Sequence, residues 1–111
     1  MAGKFEISSR KNGEFQFNLK AGNGQVILTS EGYSSLPACQ MGIESVRMHS
    51  VDPARFECKT AKDGSPYFDL KAGNGQVIGK SEMYSGTSAR DNGIQSVMTN
   101  ASGAEVVSLL D

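Results

Sequence analysis

Leu19-Lys20-Ala21-Gly22-Asn23-Gly24-Gln25-Val26-Ile27 recurs unchanged as Leu70-Lys71-Ala72-Gly73-Asn74-Gly75-Gln76-Val77-Ile78, an offset of 51 positions. Carried outward, the same offset aligns residues 5–50 with 56–101 without a gap, and 23 of these 46 positions are identical. Ser30, Glu31, Tyr33 and Ser34 match Ser81, Glu82, Tyr84 and Ser85, while Gly42, Ile43, Ser45 and Val46 match Gly93, Ile94, Ser96 and Val97. The chain is a tandem duplication. With 111 residues it has room for one core and not for two independent ones. The expected organisation is therefore a single domain, residues 1–111, made of repeat one (4–53) and repeat two (55–111).

Upstream of the repeated block, Phe15, Phe17, Leu19 and Ala21 alternate with Gln16, Asn18 and Lys20. This period of two predicts a strand with one buried and one wet face. Pro66, Phe68, Leu70 and Ala72 repeat it. Asn12-Gly13 and Asn23-Gly24 bracket the strand, as Asp63-Gly64 and Asn74-Gly75 do in the second copy, and such dipeptides reach positive φ at low cost in hairpin turns. The first copy thus reads as a meander of strands at roughly 4–9, 14–21 and 25–30. A helix to about residue 48 follows, with Ser34 or Ser35 as its cap and Pro37 in its first turn. Ala38, Met41, Gly42, Val46 and His49, with Ile43 widening the stripe, predict the face that packs on the sheet. Gly inside a helix costs about 1 kcal/mol relative to Ala, so Gly42 and Gly93 predict close approach of each helix to the sheet.

The tail Glu105-Val106-Val107-Ser108-Leu109-Leu110 reads as a last strand, and the offset lays it on residues 54–59, already the first strand of copy two. One strand therefore serves both units, and the tail, too apolar for a frayed end, belongs to the core of the first repeat. The fold class is α+β. A three-strand, helix, strand motif in tandem forms one antiparallel sheet with two helices packed on it, because a unit with one helix cannot cover its sheet alone.

The repeated block, the Ser-Glu-x-Tyr-Ser that follows it and Asn-Gly-Ile-Gln-Ser-Val at 92–97 resemble the YegP-like family of small bacterial proteins of unknown function, over nearly the whole chain. The resemblance implies a single sheet with exchanged C-terminal strands. It implies no reaction and carries over no catalytic residue. Cys39 and Met41 stand where the second copy has the polar Arg90 and Asn92, so the chain keeps no common chemistry at those helix positions.

Eleven basic against twelve acidic side chains give a net charge of −1, without the electrostatic footprint of a general nucleic-acid or anionic-membrane binder. No apolar run approaches the length of a signal or of a membrane span, and the expected setting is the cytoplasm. Cys39 and Cys58 lack metal or redox spacing and are expected to be free thiols.

No cofactor, metal or catalytic residue is expected. Gly22-Asn23-Gly24 leads into a strand rather than the helix N-terminus that a phosphate loop needs. Cys39 and His49 are ten residues apart on one helix, a rise of about 15 Å, too far for a dyad. A lone His without a cysteine pair makes no metal site. Glu31 and Glu82 read as surface carboxylates near helix N-termini. The candidate binding surface is Lys20, Lys71 and Tyr67, on an open sheet platform with Gln16, Asn18 and Asp69, together with Tyr33 and Tyr84 at the strand-to-helix junctions, where the rings cap the core or offer their hydroxyls. The reading that results is a monomeric, non-enzymatic binding or interaction module with a protein or small-molecule partner and no membrane contact. Its alternative is a nucleic-acid binder stacking bases on the sheet, which the neutral repeats and the scarcity of outward aromatics disfavour.

Overall fold

A computed structural model describes residues 3–110; Met1, Ala2 and Asp111, the outer limits of the expected 1–111 domain, lie outside it. Strands β1 (Lys4–Ser9), β2 (Phe15–Lys20) and β3 (Val26–Thr29) form the first meander, followed by helix α1 (Leu36–His49). A 3-10 turn, Pro53–Arg55, leads into β4 (Phe56–Thr60), β5 (Pro66–Lys71) and β6 (Val77–Lys80), then helix α2 (Thr87–Asn100) and β7 (Glu105–Ser108). The strands make one sheet in the order β4-β5-β6-β3-β2-β1-β7, with β3 and β6 adjacent at the centre.

The tail strand does join the first repeat: Lys4, Phe5, Glu6 and Ile7 pair with Glu105, Val106, Val107 and Ser108. The pairing is parallel, which corrects the expected wholly antiparallel sheet to a mixed one, antiparallel at every junction but this. The path of the chain supplies the reason. Asn100, the last residue of α2, lies beside Gly3 at the entrance to β1, so the chain leaves the helix there and runs alongside β1 in the same direction. The shared-strand expectation is corrected too. Among the described residues β4 pairs only with β5, and β7 is a strand in its own right on the opposite edge.

All four hairpin loops have one construction. Among the described residues Gly13, Gly24, Gly64 and Gly75 alone take positive φ, between 85° and 89°, while the Asn or Asp before each stays at negative φ. Gly24 N donates to Ala21 O at 2.9 Å and Ala21 N to Gln25 O at 2.9 Å, a three-residue loop built from a turn followed by a left-handed Gly. The Asn23 side chain accepts from Gln25 N at 3.0 Å, and Asn12, Asp63 and Asn74 do the same two residues ahead. The loop ends are thus satisfied within themselves.

Both helices lie on one face of the sheet, over a single cluster that joins Phe5, Phe17 and Leu19 to Phe68, Leu70 and Val97. The two copies share this core. Helix α1 contacts β2 of its own copy and β5 and β6 of the other, while α2 contacts β5 and β3. That crossing matters because the backbone seam between copies is thin, with Thr29 opposite Lys80 as its one ladder pair. At the seam the symmetry is broken deliberately by size: Leu28 occupies the space above Gly79, and a Cβ on Gly79 would meet Leu28 Cδ2 at 2.6 Å. The buried face of α1 is Cys39, Gly42, Ile43 and Val46. Met41, expected on it, is 73% exposed, because the stripe turns toward Cys39 instead. Ser35 caps α1 through Ala38 N, whereas α2 begins at Gly86 without a side-chain cap.

Candidate functional site

Two clefts lie where a hairpin of one copy meets the helix of the other. One, of about 350 Å³, is lined by Asn23, Gln25 and Ile27 of the first copy and by Tyr84, Ala89, Asn92, Gly93 and Ser96 of the second. The other, of about 400 Å³, is lined by Gln76 and Ile78 facing Tyr33, Ala38, Met41, Gly42 and Ser45, with Glu31 at its edge. The 51-residue offset maps seven lining positions of one cleft onto the other, so the clefts are related by the internal pseudo-twofold. Both volumes fall at the small end of ligand pockets, a few hundred Å³.

The tyrosines are held there by a device repeated in each copy. Tyr33 N and O exchange hydrogen bonds with Phe15 at 2.7 and 2.8 Å; Tyr84 N donates to Pro66 O at 2.9 Å, and Pro66 has no N–H to return. Each ring stacks on the core Phe beside it, Tyr33 on Phe17 at 6.2 Å and Tyr84 on Phe68 at 6.3 Å. Each hydroxyl comes to rest against helix backbone at Gly42 or Gly93, where a Cβ would overlap it. The two helical glycines therefore serve close packing as expected, with the neighbour being a tyrosyl ring and the edge of Phe17 or Phe68 rather than strand backbone. Burial raises the pKa of both hydroxyls above the ordinary 10.0, and neighbouring Glu31 and Glu82 push the same way. Neither hydroxyl is hydrogen-bonded to another described residue, so each offers a neutral O–H at the floor of its cleft.

Among the equivalent positions that line both, the clefts differ in one residue. Asn92 borders one where Met41 borders the other, giving a rim with an amide and a rim with a flexible apolar side chain. Sequence reasoning singled out the tyrosines but missed Gln25, Gln76 and the partnership of hairpin and helix. The unchanged nine-residue block carried the signal, since Gln25 and Gln76 are identical in both copies without lying on a core position.

Lys20, Lys71 and Tyr67 lie elsewhere, on the open face of the sheet, so the structure divides the expected surface in two. Lys20 pairs with Glu6 at 2.9 Å, and at the equivalent place Lys71 pairs with Glu57 at 2.7 Å. Lys59 adds contacts to Glu57 at 3.2 Å and to Asp69 at 3.0 Å. Lys71 and Lys59 accordingly hold the Glu57 carboxyl below its ordinary range, and Asp69 raises Lys59. Lys80 sits 4.9 Å from the centroid of the Tyr67 ring, covering the one outward aromatic of the platform.

Cys39 is fully buried, with its thiol pKa raised by burial, and Cys58 is exposed on β4. His49 bonds through Nδ1 to Ser45 O at 2.8 Å, turned back on its own helix as Asn100 is on Ser96 at 2.7 Å. Among the described residues no three His, Cys, Asp or Glu are grouped to hold a metal ion, and no helix is long and apolar enough to cross a membrane.

Residues 11–57 and 61–108 each match the family described as domain of unknown function DUF1508. A UPF0339 protein of Shewanella oneidensis is 55% identical over 100 residues, 90% of this chain and 91% of its own length. The UPF0339 protein YegP of Escherichia coli K12 is 49% identical over 96% of both chains. The solution NMR structure of YegP from E. coli superposes with a TM-score of 0.93 at 48% identity, covering 98% of this chain and 94% of that one. That of UPF0339 protein SO3888 from S. oneidensis gives 0.91 at 51%, covering 98% and 92%.

Proposed function

The chain belongs to the DUF1508 family, the YegP-like proteins, and we propose that it works as a non-enzymatic binding module whose two pseudo-symmetric clefts each take a small uncharged ligand. One observation carries this reading: a hairpin of one copy and the helix of the other build the same cleft twice, with a tyrosyl hydroxyl, a glutamine and a serine converging over an apolar floor. Hydroxyl and amide groups around a small apolar patch suit a ligand that offers both, such as an acetamido sugar or a capped dipeptide. Neither lining holds a cation, and the one carboxylate, Glu31, stands at the edge of one cleft rather than in the part the two share. Cys39 is buried and His49 bonds within its own helix, so neither supports a nucleophile. The open sheet face is the weaker candidate, since its lysines are ion-paired and Tyr67 is covered by Lys80. The reading includes a monomeric domain of residues 1–111 working in the cytoplasm, the two copies closing on each other within one chain.

The test is a titration of the isotope-labelled chain with N-acetylglucosamine and with capped dipeptides, following backbone amides by NMR. Saturable shifts at Gln25, Asn92 and Ser96, or at Gln76, Met41 and Ser45, are expected, weakened in Tyr84→Phe or Tyr33→Phe respectively. Shifts confined to the open sheet face, or no shifts at tens of millimolar, would overturn the assignment.

A further inference from the structure

The duplication leaves one strand position filled in the first copy and empty in the second. β1 and β4 are equivalent: Phe5 opposes Leu19 and Ile7 opposes Phe17, as Phe56 opposes Leu70 and Cys58 opposes Phe68. The outer edge of β1 receives β7, with Leu109 N donating to Ile7 O at 2.8 Å. Amide and carbonyl of one strand residue point to the same side, so both groups of Ile7 face β7. By the shared register, those of Cys58 face outward at the β4 edge, where no described strand lies.

Side chains record the same vacancy. Ile7 is 2% exposed, whereas its counterpart Cys58 is exposed. Ile43 is buried beside Val106 of β7, whereas Ile94 at the same place on α2 is only half-buried. Lys4 lies opposite Glu105 in the filled slot, and Arg55 holds the position of Lys4 in the open one. The slot beside β4 thus keeps an outward backbone, the side chains of Cys58 and Ile94 with the Arg90 guanidinium near Cys58, and at its entrance the Arg55 cation, which Asp52 holds at 3.6 Å.

We propose that the β4 edge is a docking site for an extended segment of another polypeptide, running parallel to β4, with an acidic residue opposite Arg55 and a branched apolar residue next, over Ile94. The filled slot is the bound form seen within the molecule. A second copy of this chain does not fit the role: each chain has one β7 and one such slot already filled, so lending β7 to a neighbour empties one site to fill another. The open slot lacks the guanidinium of Arg47, which donates to Ala104 O and anchors β7 on the other side, because Met98 stands at that position. Docking at β4 is therefore reversible where β7 is permanent.

The probe is a synthetic peptide of residues 103–111, the sequence known to fit this type of slot, added to the intact labelled chain. Amide shifts at Phe56, Glu57, Cys58 and Ile94 and slowed exchange at Cys58 are expected. Cys58→Pro removes only an outward N–H, which an edge strand tolerates, and should weaken binding at least about tenfold. Arg55→Glu should weaken it as well and recover with a peptide carrying Glu105→Lys, a pairing that separates docking from any loss of fold. Cys58→Ile, which restores the residue of β1, should tighten it, and Tyr84→Phe should leave it unchanged, distinguishing this edge from the clefts. The proposal is overturned by shifts confined to β1 and β7, by self-association through β4 without peptide, or by no shifts at millimolar peptide.

Discussion

Ser30 and Ser81 show how a single residue type explains a repeat. Each is buried; Ser30 Oγ accepts from Phe17 N at 2.9 Å and donates to Glu31 O at 2.8 Å, and Ser81 does the same with Phe68 N and Glu82 O. These serines end the third strand of each meander by satisfying backbone that the ladder no longer reaches. Ser30→Ala leaves the buried Phe17 amide without a partner and is expected to cost about 1–3 kcal/mol, read from urea unfolding. Gly42→Ala should cost about as much, roughly 1–3 kcal/mol, because the new methyl must displace the Tyr33 hydroxyl from its seat. The tyrosines also carry a pH signature. Their pKa values are raised in the folded state, so the folded protein holds these protons more tightly than the unfolded chain. Their contribution is complete below pH about 10 and is lost as pH rises through the raised values. The double variant Tyr33→Phe, Tyr84→Phe should flatten the alkaline fall in melting temperature while leaving the profile near neutrality in shape.

The hairpins and helices were legible in sequence for different reasons. The turn dipeptides named every loop because a left-handed backbone needs Gly at one position, and each of the four glycines sits there. Gly24→Val and Gly75→Val are therefore expected to lower the melting temperature through φ strain alone, since open space surrounds the position a Cβ would take; unchanged melting would refute the turn assignment. Helix α1 was placed within a residue or two by Ser35 and Pro37, yet Met41 was assigned to the wrong face. A stripe including Met41 and His49 and one including Cys39 both have helical spacing, and only the position of the sheet decides between them. The clefts were illegible for a related cause. Gln25 lines one cleft with Tyr84 and Asn92 of the other copy, and period or propensity reports nothing about which hairpin lies under which helix.

Across the whole molecule, duplication gives a sheet with a closed centre and two unlike edges. At the centre the copies cannot be identical, since two leucines would collide where Leu28 covers Gly79. At the edges they differ because β7 lies on β1 and, among the described residues, no strand lies on the outer side of β4. The tail strand is short and largely exposed, but it covers the apolar side of β1: Leu110 packs on the core, and Ala104 is 3% exposed. Phe5 and Ile7, both buried, sit on the strand it protects, and Arg47 ties its start to α1 while packing 5.4 Å from the Phe5 ring. Deleting residues 103–111 would convert β1 into a second open edge like that of β4. Unlike β4, however, that edge carries Ile7 where β4 has Cys58, so the exposed strand is more apolar and has no built-in tolerance for solvent. An open apolar edge pairs with other edges. The truncated chain is expected to melt at lower temperature and to associate at micromolar concentration in sedimentation, with the intact chain expected to remain monomeric under the same conditions. Addition of the 103–111 peptide in trans should reverse both effects, and a truncated chain that remained monomeric with unchanged stability would show that β7 is an ornament on the first repeat rather than part of its core.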